Sequence, residues 1–174
     1  MLLKDAEAVT GGLSRPSKVT GGGYSLPAEN CKTGSKLRKC DGSVCSKCYA
    51  CKGRYIFPTV SEAMKRRLGT LSDPLWITCM VFMINYRKKQ GYRYFRWHDS
   101  GDLQGVRHLR RIFKICRQTP GVKHWMPTKE HKMVDRVLET EDKPDNLVIR
   151  LSGYYLDEVP DTDLPVSSVH TSEK

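Results

Sequence analysis

The sequence has no run of about eighteen apolar residues, the length a helix needs to cross a bilayer. Its most apolar stretch, residues 75–86, is too short. A secretory leader is lacking too: MLLKDAEAVTGG places acids where a basic and then an apolar segment would stand. A cytoplasmic protein without a membrane partner is expected, its thiols kept reduced. Acidic side chains are scarce as well. Nineteen Asp and Glu stand against 30 Lys and Arg, a formal charge of +11. Between residues 32 and 67 only Asp41 and Glu62 oppose ten bases, and residues 87–117 add ten more. Residues 139–163 are acidic instead. So one-sided a field points to a polyanionic partner, nucleic acid first; the plainer reading is a set of solvated basic helix faces.

Apolar and aromatic material is plentiful. An apolar fraction of 39%, with three Trp, eight Tyr and four Phe, excludes a disordered chain, and 174 residues suit one domain with a real core. Seven cysteines are present, and five fall within CKTGSKLRKCDGSVCSKCYACKGRY, residues 31–55. Cys31, Cys40, Cys45, Cys48 and Cys51 stand too densely among Lys, Gly and Ser to be filling a core. Such thiols cross-link, hold zinc, or hold an iron–sulfur cluster. An odd count in a reducing setting argues against cross-links. Cys79 and Cys116 lie on apolar helical patterns and read as packing.

Along the chain, residues 1–23 carry GG and GGG with little periodicity and read as a flexible arm. A short extended segment follows, limited by Pro27. VSEAMKRRL behind Pro58 is a helix pattern. Ser72-Asp73-Pro74 opens a second helix, apolar nearly all round, that ends in basic residues before Gly91. YRYFRW is a strand by composition and runs into HDSGD, residues 98–102. Residues 104–118 place Val106, Leu109, Ile112, Phe113 and Cys116 on one helical stripe. His108, among arginines, is expected on the exposed side. A strand broken by Pro127, a helix over 131–139 and the strand NLVIRLS complete a single α/β domain over residues 24–155, and a loose polar tail covers 156–174.

This alternation predicts parallel β-α units with right-handed crossovers, the fold class being a partial (incomplete) barrel carrying a cysteine-rich loop. Ligands in such folds sit beyond the carboxyl ends of the strands. The unusual residues fall there: the cysteine loop, His98-Asp99-Ser100-Gly101-Asp102, Pro127-Thr128-Lys129 and Ser152-Gly153.

The blocks SLPAENC, CYACKGRY, HDSGD, PTK and LSG resemble the phage gene product 88 family over roughly residues 24–155. The layout is also similar to the radical S-adenosylmethionine enzymes, whose three-cysteine loop after the first strand holds a [4Fe-4S] cluster. That resemblance implies a cluster on Cys40, Cys45 and Cys48, with Cys31 and Cys51 as substitutes. It makes Ser100-Gly101-Asp102 the counterpart of the strand end that holds the cofactor's amino group. Ser152 then falls near the ribose, and His98, Asp99 and Lys129 border the same pocket. The first cysteine gap is one residue longer than the family's CxxxCxxC. A phage protein of this kind would act on or bind nucleic acid in the host cytoplasm.

Other readings stay open. Four of the five clustered cysteines would make a closed zinc site, although the usual second CxxC is missing. That would give a non-catalytic module binding nucleic acid or a host protein, for example as an inhibitor of a host enzyme. His98, Asp99 and Asp102 are also candidates for a hydrolytic metal centre. Tyr94, Trp97 and Trp125 are candidates for base stacking wherever they face solvent.

Overall fold

The computed structural model describes residues 1–16 and 19–171. Its centre is a wholly parallel five-stranded sheet in the order β1-β2-β3-β4-β5. The strands are β1 (Gly23–Tyr24), β2 (Tyr94–Trp97), β3 (Lys123–Thr128), β4 (Leu147–Ser152) and β5 (Val166–Ser167). Each strand pairs with its neighbour in sequence. Stepping always the same way with right-handed crossovers lays the connecting helices on one face.

The helices are α1 (Leu3–Thr10), α2 (Lys32–Leu37), α3 (Pro58–Thr70), α4 (Trp76–Lys89), α5 (Val106–Gln118) and α6 (His131–Leu138). Local chemistry explains the longest. Asp73 Oδ1 accepts the Leu75 N–H at 2.8 Å just ahead of α4. Its last turn is Arg87, Lys88 and Lys89, favourable against the negative helix end. Trp76, Met80, Met83 and Ile84 of α4 pack with Leu109, Ile112 and Phe113 of α5 over Phe95, Trp97, Met126 and Ile149 of the sheet. Tyr24 is the hub of this core. Its hydroxyl donates to the Thr10 carbonyl at 2.5 Å and accepts from Trp76 Nε1 at 3.0 Å.

Two expectations are corrected. Residues 3–10 are not part of a loose arm: α1 buries Ala6 and Thr10 against α4. The described residues of the tail are not loose either. β5 extends the sheet, and the Leu156 N–H donates to the Gly42 carbonyl at 3.2 Å, so the tail ties down the cysteine stretch. That stretch contains α2 and three short 3-10 turns, over Val44–Lys47, Tyr49–Cys51 and Gly53–Ile56. The sheet is open, with no closure between β1 and β5.

Only one side of the sheet carries the helical core. Parallel sheets normally bury both faces. Here alternation sends Phe95, Trp97, Met126 and Ile149 inward, and Tyr94, Trp125 and Val148 outward at 58%, 39% and 45% exposure. In register, Arg96, Trp125 and Val148 stand side by side across β2, β3 and β4.

Candidate functional site

The carboxyl ends of the strands gather the expected segments, but not in the expected arrangement. Cys40 is exposed and its Sγ lies 3.7 Å from the Lys36 carbonyl, away from the other thiols. Cys31 and Cys45 instead flank Gly34 of α2. A Cβ on that glycine would lie 3.5 Å from Cys45 Sγ and 3.7 Å from Cys31 Sγ. Burial, then Asp102, Cys48 and Cys45, push the Cys31 thiol up. Burial raises Cys45 as well, opposed by the Lys129 ammonium. Burial and the adjacent Cys48 raise Cys51. Cys31, Cys45, Cys48 and Cys51 therefore share one neighbourhood, and Cys40 is outside it. Among the described residues no three His, Cys, Asp or Glu side chains come together as a metal site. The set Cys40, Cys45 and Cys48 is not assembled, and neither is His98 with Asp99 and Asp102.

HDSGD is divided between two jobs. His98 has a left-handed backbone, φ +56°, and turns into the helical core beside His108. His108 is itself buried, not exposed; it sits one helical turn before Ile112 on the inward stripe of α5. Ser100 Oγ donates to the Leu26 carbonyl at 2.9 Å. A Cβ on Gly101 (φ +78°) would come within 2.6 Å of Leu26 Cβ, so this glycine makes room for β1's continuation and not for a ligand. Asp102 is fully engaged. It accepts from the Leu103 N–H at 2.7 Å, from Thr128 Oγ1 at 2.5 Å and from the Lys129 N–H at 2.8 Å. Burial, against these three hydrogen bonds, still pushes its carboxyl up to about 6.

Lys129 Nζ donates to the Gly153 carbonyl, bridging β3 and β4 at the rim, and burial lowers its pKa. Glu130 reaches across to α2, accepting from Thr33 N at 2.7 Å and Thr33 Oγ1 at 2.8 Å. His131 Nε2 lies 3.0 Å from the Ser152 carbonyl and stacks on Tyr154, and Ser152 Oγ pairs with Ser167 Oγ at 3.1 Å. These contacts pin the cysteine loop and the tail to the strand ends.

Asp99, although buried, alone of the HDSGD acids lines a cleft. Its carboxylate accepts from Ser25 Oγ, and from the Tyr55 hydroxyl at 3.0 Å, while its carbonyl accepts from the Tyr49 hydroxyl. Burial and the Asp99 carboxylate push the Tyr55 phenol up; burial raises Tyr49, opposed by the Arg96 guanidinium beside it. Tyr49 and Tyr55 meet edge to face with ring centroids 5.7 Å apart. They line a cleft of about 930 Å³ between the cysteine loop, α3 and the segment before β1. Sequence reasoning assigned no role to Tyr49, Tyr55 or Arg67 in this cleft, although CYA and GRY had marked the two tyrosines.

Arg96 connects the cleft to the bare sheet face. Its guanidinium lies 4.6 Å from the Trp125 ring centroid. Among the described residues the ion pairs are Arg110–Glu141, Arg117–Glu141 and His170–Asp157, none of them on this side of the sheet. No helix of the described residues is long and apolar enough to cross a membrane. No curated protein and no solved structure matches the chain. A family model does match, over residues 1–173, and the chain belongs to the Gene product 88 family.

Proposed function

We propose that this protein binds nucleic acid across the bare face of its sheet, which we read as the inner wall of an incomplete barrel. The observation that carries the reading is the row Arg96–Trp125–Val148 with Tyr94 beside it, apolar and aromatic surface left uncovered on a sheet type that normally buries both faces. Stacked aromatics bordered by unpaired bases are what single-stranded nucleic acid requires. Each base presents a π face to Trp or Tyr, and each phosphate a charge to Arg or Lys. The formal charge of +11 draws such a strand in.

The cysteine loop supports a second element of the proposal, a [4Fe-4S] cluster or a zinc ion on the group Cys31, Cys45, Cys48 and Cys51. Gly34, lacking a Cβ, lets two of these thiols approach from either side. The side chains as placed do not yet form a metal site, so loading would require the loop to close and the thiols to lose their protons. A cluster supplies electron transfer; zinc supplies structure only. For S-adenosylmethionine the fit is poor. Ser100 and Gly101 are spent on Leu26, and Asp102 on β3, so no step through that cofactor is derived.

The test is fluorescence anisotropy with labelled single-stranded DNA and RNA oligonucleotides over a range of salt. Binding that weakens linearly with the logarithm of salt is expected, together with about tenfold loss in Trp125→Ala. Absence of binding to either strand at low salt would reduce the basic charge to a solubility feature.

A further inference from the structure

The cleft beside the sheet face has its own chemistry. Five cations line it, Arg15, Lys52, Arg54, Arg67 and Arg96, against one carboxylate, Asp99. None of the five is in an ion pair among the described residues. Arg67 is the telling member. It is 7% exposed, and its Nε donates to the Gly12 carbonyl at 2.8 Å and one Nη to the Ser25 carbonyl at 3.4 Å. Its second terminal nitrogen, Nη2, makes no hydrogen bond among the described residues. Burial lowers its pKa. The Asp99 carboxylate acts on it only from beyond ion-pair distance, and a guanidinium drawn out of water in this way is costly unless an anion completes it. With two nitrogens already donating to carbonyls, the N–H groups left over suit the oxygens of an anion, and the excess of five cations over one carboxylate favours a phosphate, which carries more charge than a carboxylate.

Beside these cations stand the paired rings of Tyr49 and Tyr55, which offer an edge-and-face wall to a flat ring. Asp99 lies at their base. Its carboxylate oxygens each hold one side-chain hydrogen bond, from Ser25 and Tyr55, and a carboxylate has about four acceptor sites in all. It can therefore still accept from a sugar hydroxyl or an exocyclic amine. The volume, about 930 Å³, is in the range of a small-molecule site.

We propose that this cleft binds one nucleotide unit: its phosphate on Arg67 and the mouth cations, its base against Tyr49 and Tyr55, and a hydroxyl or amine on Asp99. The inference rests on the nucleic-acid reading for the source of the nucleotide, since a strand lying on the sheet would enter the cleft past Arg96. A free nucleotide would use the same contacts.

The full chain should be titrated calorimetrically with adenosine monophosphate, then with adenosine and with inorganic phosphate. Cytidine, guanosine and uridine monophosphates extend the series. At least one monophosphate should bind, with nucleoside and phosphate alone each weaker by about tenfold or more. Arg67→Met should abolish that binding. Because Arg67 also bridges two carbonyls, the exposed pair Lys52→Ala/Arg54→Ala provides an independent test, with about a tenfold loss expected. Trp125→Ala should weaken oligonucleotides more than mononucleotides. If the oligonucleotide binds and no mononucleotide competes at ~5 mM, the cleft inference is overturned and the sheet-face reading stands. If a mononucleotide binds and no oligonucleotide does, the cleft is a free-nucleotide site and the sheet-face reading fails. Mononucleotide binding that survives both the Arg67 and the Lys52/Arg54 substitutions places the site elsewhere and overturns the inference.

Discussion

The imidazoles of His98 and His108 meet edge to face in the core, ring centroids 5.3 Å apart. Neither nitrogen of His98 has a hydrogen-bond partner, nor has Nε2 of His108, among the described residues. Burial, followed by the neighbouring ring and Arg96, holds His98 well below the ordinary imidazole range. Burial and Arg111 push His108 down to about 3, and burial pushes His124 to about 4. Both rings are neutral in the folded protein and titrate normally when it unfolds. A depressed folded pKa contributes stability that is fully present above the unfolded value, about 6.5, and is lost as pH falls below it. Asp102 works the other way: its carboxyl, raised to about 6, costs stability at neutral pH that is regained on acidification. Three histidines outweigh one carboxyl. Urea unfolding at pH 7 and pH 5 should show a net loss of stability at the lower pH, of the order of 1 kcal/mol per pH unit for each histidine. His108→Gln should reduce that loss. An equal loss in the variant would mean that His108 is already protonated in the folded core.

Gly101 and Gly53 separate backbone conformation from close approach. Both have positive φ, +78° and +61°. Around Gly53 nothing lies within 4 Å of an added Cβ, whereas at Gly101 it would lie 2.6 Å from Leu26 Cβ and 2.7 Å from the Leu26 carbonyl oxygen. Gly53→Ala should cost about 1 kcal/mol, the price of a left-handed alanine alone. Gly101→Ala adds a clash with backbone that cannot swing away, and should cost about 3 kcal/mol or more. Thermal unfolding of the two variants measures the difference. Similar shifts would show that the HDSGD turn yields where the structure places it hard against Leu26.

The elements a sequence announces are those whose signals are local. α4 shows Asp73-Pro74 just ahead of it and a basic last turn, and β2 to β4 alternate or run apolar between turn residues. α1 has no such mark. LKDAEAVT is only eight residues long, and its anchor is Tyr24, fourteen residues beyond Thr10. β5 is two residues held by register against Leu151 and Ser152. His108 was hidden by the arginines around it, yet its spacing to Ile112 and Ile115 had already placed it on the buried stripe. The cysteine stretch was legible as a site but not as a ligand set. Spacing favours Cys40-Cys45-Cys48, while the turn at Gly34 brings Cys31 up from the other side and leaves Cys40 outside. The cleft was the least legible part, because Arg67, Tyr55 and Asp99 come from three separate elements.

Tyr24→Phe tests what fastens α1 to the core. The hydroxyl donates to the Thr10 carbonyl and accepts from Trp76 Nε1, and burial pushes its pKa up, so it stays a donor. The Thr10 carbonyl keeps a second donor, Thr70 Oγ1 at 3.0 Å. The indole N–H of Trp76, fully buried, would be left without a partner. That omission should cost about 2 kcal/mol. Amide exchange in α1 should quicken more than in α5, to which the Tyr24 hydroxyl makes no hydrogen bond. Uniform quickening would show that the hydroxyl supports the whole core and not this helix.

The cysteines permit a prediction that separates spacing from geometry. If CxxC spacing with the nearest upstream thiol chose the ligands, Cys40→Ser would lose metal and Cys31→Ser would not. The structure reverses this order. Cys40 is exposed and turned to the Lys36 carbonyl, whereas Cys31 is half-buried in the field of Asp102, Cys48 and Cys45. Protein purified without oxygen from iron- and zinc-supplemented cultures should therefore retain its metal in Cys40→Ser. It should lose most of it in each of Cys31→Ser, Cys45→Ser, Cys48→Ser and Cys51→Ser, since a missing thiolate leaves the site one ligand short. Elemental analysis gives the stoichiometry, and the visible spectrum distinguishes a brown cluster from colourless zinc. A Cys40→Ser protein that loses its metal while Cys31→Ser keeps it would return the ligand set to Cys40, Cys45 and Cys48. Metal-free wild-type protein from both cultures would leave the four thiols as a reduced, uncoordinated group, and the raised pKa values of Cys31, Cys45 and Cys51 would then make those three poor nucleophiles at neutral pH.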